Sequence, residues 1–82
     1  MSDFRARTVH RLEEVLERPL GQWPAGEPLV NLLGPGYDSM RRLQVLLALD
    51  AEFGLNATPT AGDLETIEAI VQFVATSGRT SR

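Results

Sequence analysis

The chain has no cysteine and a single histidine among its 82 residues. Disulfides and thiolate metal sites are thereby excluded, and so is a histidine-rich metal centre. Any thiol chemistry has to come from a bound group. No apolar run approaches the roughly 20 residues that a membrane-crossing helix needs. The first residues, Met1-Ser2-Asp3-Phe4-Arg5, lack the basic-then-apolar layout of a secretion signal, and a cytoplasmic protein is expected. Positive charge is scarce as well: 8 Lys and Arg against 11 Asp and Glu leave a formal charge of −3. Nucleic-acid binding calls for clustered cations against phosphate, which this balance disfavours.

A chain of this length makes one small domain with one core and little room for a deep cleft. Residues 1–76 are read as that domain. The small polar residues 77–82 read as a flexible tail, with fraying from Thr76. Phe4, Thr8, Val9, Leu12, Val15 and Leu16 recur at about 100° per residue on one face. They predict a helix from a cap at Ser2 or Asp3 to about Arg18, ended by Pro19. Arg7, His10, Arg11, Glu14 and Arg18 fall on its other side, with His10 exposed and lacking a partner nearby in sequence. From Leu20 to Tyr37, Pro24, Pro28, Pro35 and four glycines deny the chain a regular helix. Loops this long in compact domains are often functional. Trp23, Leu29, Val30, Leu32 and Leu33 are expected to pin it to the core. A second helix is expected over Ser39 to Phe53, with Gly54 suited to a left-handed cap. Leu55 to Asp63 reads as a loop with room for one short helical turn. A last helix is expected over Leu64 to Ala75, with Ile67, Ile70, Val71 and Val74 at i, i+3, i+4 and i+7. The fold class is all-α, with no strand and no internal repeat.

The most specific stretch is Gly36-Tyr37-Asp38-Ser39-Met40, which leads into Arg41-Arg42-Leu43-Gln44-Val45-Leu46-Leu47-Ala48-Leu49-Asp50-Ala51-Glu52-Phe53-Gly54. By itself, Asp-Ser at a helix start reads as a cap. The context adds a Leu33-Gly34 approach, a Leu49-x-x-Glu52-Phe53-Gly54 ending, and Ile67, Ala69, Val71, Phe73 and Val74 beyond it. From Glu27 to Val74 the chain resembles the acyl carrier protein family, whose attachment site reads G-x-D-S-[LM]. Over the first helix the likeness is one of pattern only. The resemblance implies a small four-helix bundle: three longer helices, a short third one and a long first loop. It implies that the Ser39 hydroxyl carries a 4'-phosphopantetheine arm whose thiol holds cargo as a thioester. A helix N-terminus is a favourable field for the phosphodiester. Asp38 is a candidate cap and, by the resemblance, a residue that helps a transferase position Mg²⁺ and the serine. The implied partners are a phosphopantetheinyl transferase, a loading ligase or acyltransferase, and the synthase and tailoring enzymes of a pathway. They would be served by a free-standing monomer, an expectation that the initiating Met also favours.

The second helix carries two apolar stripes. Val45, Leu46, Leu49 and Phe53 form one, and Met40, Leu43 and Leu47 form another, displaced around the axis. One stripe suffices for a surface helix. The second is further core or a docking face, and the resemblance makes it the surface that partner enzymes touch. Leu43 has the alternative of packing on the preceding loop. Arg41, Gln44 and Ala51 stand where fatty-acid carriers often place acids, and Asp50 remains as an acidic contact. Two cations in a first turn oppose the helix dipole, so they are not there for the stability of that helix. Arg42 heads the core-facing stripe just below Ser39, within reach of a phosphate or a polar cargo. Arg41 is expected to point outward, towards a partner. This departure favours a dedicated carrier of a specialised polyketide, fatty-acid or related pathway. Tyr37 is a partner contact or a turn residue, and Trp23 a core anchor. An aminoacyl or peptidyl carrier is the alternative, although Gly-Tyr-Asp-Ser leans towards acyl cargo. The rival of another class is an unmodified helical docking module, which has no need of Ser39. No set of acid, base and nucleophile can be assembled, so an enzyme is not expected.

Overall fold

A computed structural model describes residues 4–77. The expected cap at Ser2 or Asp3 and the tail from 78 onward lie outside them, as does the Phe4 side chain. Helix α1 spans Phe4–Leu16, α2 is a single turn at Val30–Leu33, α3 spans Ser39–Phe53 and α4 spans Ile67–Ser77. Two 3₁₀ turns, Gly34–Gly36 and Ala61–Leu64, complete an all-helical bundle. No helix of the described residues is long and apolar enough to cross a membrane.

α1 stops at Leu16, short of the expected Arg18, for a local reason. Glu17 takes φ 57°, a left-handed conformation more often left to glycine, while its N–H still reaches the Glu13 carbonyl at 2.8 Å. The Glu13 carboxylate then accepts the Leu20 N–H at 2.7 Å and turns the chain into the loop. α3 has the expected bounds. Asp38 is its N-cap: an extended residue whose carboxylate accepts the Arg41 N–H at 3.0 Å. Gly54 closes it at φ 66°, giving its N–H to Asp50.

The Leu20–Tyr37 segment is not without helix, contrary to what its prolines and glycines led us to expect. Pro28 precedes α2, and Gly34-Pro35 follows it, which leaves just one turn between them. Leu29 is fully buried, Leu32 and Leu33 are half-buried, and Trp23 packs against the core. Val30 is an exception to the expected pinning, at 39% exposed. Backbone bonds tie this segment to the start of α4: Leu29 N–H to the Glu65 carbonyl at 2.8 Å, and Glu68 N–H to the Ala25 carbonyl at 2.9 Å. α4 begins at Ile67 rather than Leu64. A Thr60–Asp63 capping box folds residues 61–64 into a 3₁₀ turn, and Thr66 Oγ1 caps α4 by accepting the Ala69 N–H at 3.0 Å. Thr76 and Ser77 are helical instead of frayed. Ser77 is buried, and its carbonyl accepts the Asn56 N–H at 3.0 Å.

The core joins Leu12 and Leu16 of α1, Val45, Leu49 and Phe53 of α3, and five apolar residues of α4, with Leu20, Leu29, Tyr37 and Leu64 from the connections. Arg7 and Arg11 were expected on a face turned away from this core. They cross to α3 instead, and both reach Glu52, at 2.8 Å and 2.6 Å. The Arg7 guanidinium also lies 5.0 Å from the centre of the Phe53 ring. His10 does have a partner one turn on, Glu14 at 3.3 Å.

Hydrogen bonds first from Arg11 and then from Arg7 hold the Glu52 carboxyl below its ordinary pKa. A carboxyl lowered in the folded state contributes stability that is fully present above its unfolded pKa. That contribution is lost as pH falls through the folded value. Thermal melts from neutral to acid pH should therefore show the wild type losing stability over that window. Glu52→Gln should melt lower at neutral pH and lose less on acidification; parallel acid branches would refute the assignment.

Candidate functional site

Ser39 is the first residue of α3, exposed to solvent. Its hydroxyl makes no hydrogen bond to another described residue. A shallow hollow opens on each side of it. One, of about 290 Å³, is lined by Gly36, Asp38, Met40, Arg41 and Gln44. The other, also about 290 Å³, is lined by Ser39 itself with Arg42, Leu43, Leu46, Thr60 and Leu64 among others. Asp38 and Arg41 thus line one hollow, and Arg42 lines the other. Nothing crowds the glycine of the motif: a Cβ at Gly36 would meet no atom within 4 Å. Its smallness keeps the approach to Asp38 and Ser39 open without being a demand of the backbone.

Tyr37 is neither a partner contact nor a plain turn residue. It is buried, and its phenol donates a hydrogen bond to the Leu64 carbonyl. Burial pushes its pKa up, partly offset by the positive charge of Arg42. The Arg42 guanidinium lies 4.8 Å from the centre of the Tyr37 ring, within cation–π range. Arg42 is half-buried and lines the same hollow as Ser39.

The outward orientation expected of Arg41 is corrected. Its Nη1 donates to the Val15 carbonyl at 3.0 Å, and the residue is half-buried. Val15 belongs to the last turn of α1, whose carbonyls have no partner within the helix. A cation is favourable at that end. The charge that opposes the start of α3 therefore serves the finish of α1.

Met40, Leu43 and Leu47 are 68%, 52% and 58% exposed. The second stripe is thus not core, and Leu43 does not bury itself against the preceding loop. Asp50 is exposed, yet its carboxylate accepts the Leu55 N–H at 2.9 Å, so it also holds the exit from α3. Among the described residues no group of three His, Asp or Glu is placed to hold a metal ion. Sequence reasoning missed the Tyr37–Leu64 bond and the Arg41–Val15 contact, for which no spacing gives a signal. It also missed the Thr60 wall of the hollow, although Thr60-x-x-Asp63 is a legible capping box.

Comparison of the chain with protein-family models, curated proteins and solved structures yields no match.

Tyr37 is the sole tyrosine, so ultraviolet titration of tyrosinate reads it alone. Its midpoint should lie above the ordinary phenol value, and Arg42→Gln should move it higher still. A phenol raised in the folded state contributes stability below its ordinary pKa and loses it as pH rises through the folded one. Ionisation at the ordinary value would show Tyr37 to be solvated.

Proposed function

We propose that this chain is a carrier protein of the acyl type, with Ser39 as the attachment point of a 4'-phosphopantetheine arm. The observation that carries this reading is the placement of Ser39. It is an exposed, unengaged serine at the first position of a long helix, inside the Gly36–Met40 motif and beside an exposed apolar stripe. In the attachment, the Ser39 oxygen bonds to the pantetheine-bearing phosphorus of coenzyme A. The pyrophosphate bond breaks, adenosine 3',5'-bisphosphate leaves, and the hydroxyl proton passes to a base of the transferase. The arm supplies the thiol that a cysteine-free chain lacks.

The residues around Ser39 fit this use. Asp38 engages the Arg41 N–H through Oδ1 alone, which leaves its other oxygen for a transferase's Mg²⁺. Because Asp38 is the cap, Ser39 is free of structural duty. Met40, Leu43 and Leu47 offer partner enzymes an apolar contact, with Asp50 as an acid on the same helix. Arg41, held on Val15, is left out of that surface. The cargo is an acyl group of a dedicated, specialised pathway, loaded by a ligase or acyltransferase.

Intact mass after incubation with coenzyme A, Mg²⁺ and a broad-specificity transferase tests the site. The wild type should gain one phosphopantetheine, and Ser39→Ala none, with unchanged helical circular dichroism. A wild type that stays unmodified would leave the unmodified docking module as the better reading; an arm on Ser39→Ala would move the site elsewhere.

The two stripes of α3 give a second test. Leu47→Asp should keep the fold and weaken docking to a pathway enzyme more than tenfold, as loss of an interface anchor does. Leu49 is fully buried, so Leu49→Asp places an unpaired charge in the core and should unfold the domain. Equal unfolding by both changes would contradict the exposed stripe.

A further inference from the structure

The hollow beside Ser39 contains a cation that the fold does not neutralise. Arg5, Arg7 and Arg11 each meet a carboxylate, on Glu68 or Glu52, and Arg41 gives its charge to the end of α1. Among the described residues no carboxylate lies within ion-pair distance of Arg42. Its guanidinium is nevertheless not loose: it rests on the face of Tyr37, a ring fixed by burial and by its bond to Leu64. A guanidinium stacked on a ring keeps its N–H donors at the edge, available for an oxyanion. Arg42 follows Ser39 by three residues, so the two share a helix face. Helical side chains lean towards the N-terminus, which for Arg42 is towards Ser39. The nearby acids are otherwise occupied. Asp38 faces the other hollow and caps the Arg41 N–H, and Asp63 accepts from the backbone and hydroxyl of Thr60. The hollow thus combines one pre-positioned cation with an apolar floor of Leu43, Leu46 and Leu64.

We propose that Arg42 is a binding residue for the group carried on Ser39, holding an oxyanion of that group inside this hollow. This rests on the carrier reading. The phosphodiester at the serine oxygen is one source of the oxyanion, and a carboxylate at the end of a cargo is another. In either case Arg42 turns the arm across Leu43 and Leu46 instead of leaving its root free.

The test uses wild type, Arg42→Gln and Arg42→Lys, each converted with coenzyme A and shown by mass to hold one arm. Phosphorus NMR then reads the phosphodiester with the arm empty, acetylated or succinylated. Carbon-labelled succinate reports its own carboxylate. With the phosphodiester as source, Arg42→Gln should shift and narrow the phosphorus line in all loading states, with Arg42→Lys between the two. With the cargo as source, the succinyl carboxylate resonance alone should move on substitution. Either result supports the proposal. Spectra of wild type and both variants that coincide in every loading state overturn it while leaving the carrier reading intact. A wild type that takes no arm overturns both. Arg42→Lys preserves a cation over Tyr37, so it keeps the comparison valid should Arg42→Gln fail to fold.

Discussion

Tyr37 gives its hydroxyl to the Leu64 carbonyl from within the core, and the start of α3 hangs on that bond. The acceptor closes the 3₁₀ turn ahead of α4, so the bond clasps two helix entrances together. Removing the hydroxyl would leave a buried carbonyl without a partner, a loss of about 1–3 kcal/mol. The same ring supports Arg42. Arg42 and Leu64 both line the hollow beside Ser39, so one phenol sets how far apart these two residues stand.

Arg7, Arg11 and Arg41, expected to point away from the core, act instead as ties between helices. α1 is joined to α3 at both of its ends. Arg7, in its first turn, and Arg11, at its middle, reach Glu52 near the finish of α3. Val15, near its finish, receives Arg41 from the start of α3. The two helices therefore run antiparallel, and the negative end of one dipole lies beside the positive end of the other. Cations at the start of α3, unfavourable for that helix taken alone, become favourable once α1 is set beside it. Exposed ion pairs contribute little singly; here they also fix the register of two helices whose apolar faces would tolerate sliding.

α3 was fully legible in the sequence because both of its ends are written in residue types, Asp38 for the cap and Gly54 for the left-handed exit. Periodicity gave most of the core faces of α1, α3 and α4, but Leu46, expected on the core stripe of α3, is half-buried and lines the hollow beside Ser39, and Phe73 of α4 is buried outside the expected series. α1 ended early because Glu17 adopts a backbone conformation that its residue type does not announce. α2 went unseen because a single turn between Pro28 and Gly34 is too short to show a period. Of the candidate site, Met40, Leu43 and Leu47 were legible as a second stripe, but periodicity left open whether that stripe was core or docking face. The orientation of Arg41 and the burial of Tyr37 were not legible, since both are decided by acceptors distant in sequence, Val15 and Leu64.

The exposed stripe on α3 is short. Met40 to Leu47 covers eight residues, or about 10 Å of helix rise, on a segment locked at one end by Asp38 and at the other by Asp50 and Gly54. A patch on so fixed a backbone has little backbone entropy to lose on contact, although its exposed side chains still lose rotamer freedom, and it would bury too little area for a lasting complex. On a partner docked there, residence would be brief, with dissociation as the quantity that substitutions in the patch would change most. For a protein proposed to visit a succession of active sites, fast release sets the pace of the relay as surely as recognition does.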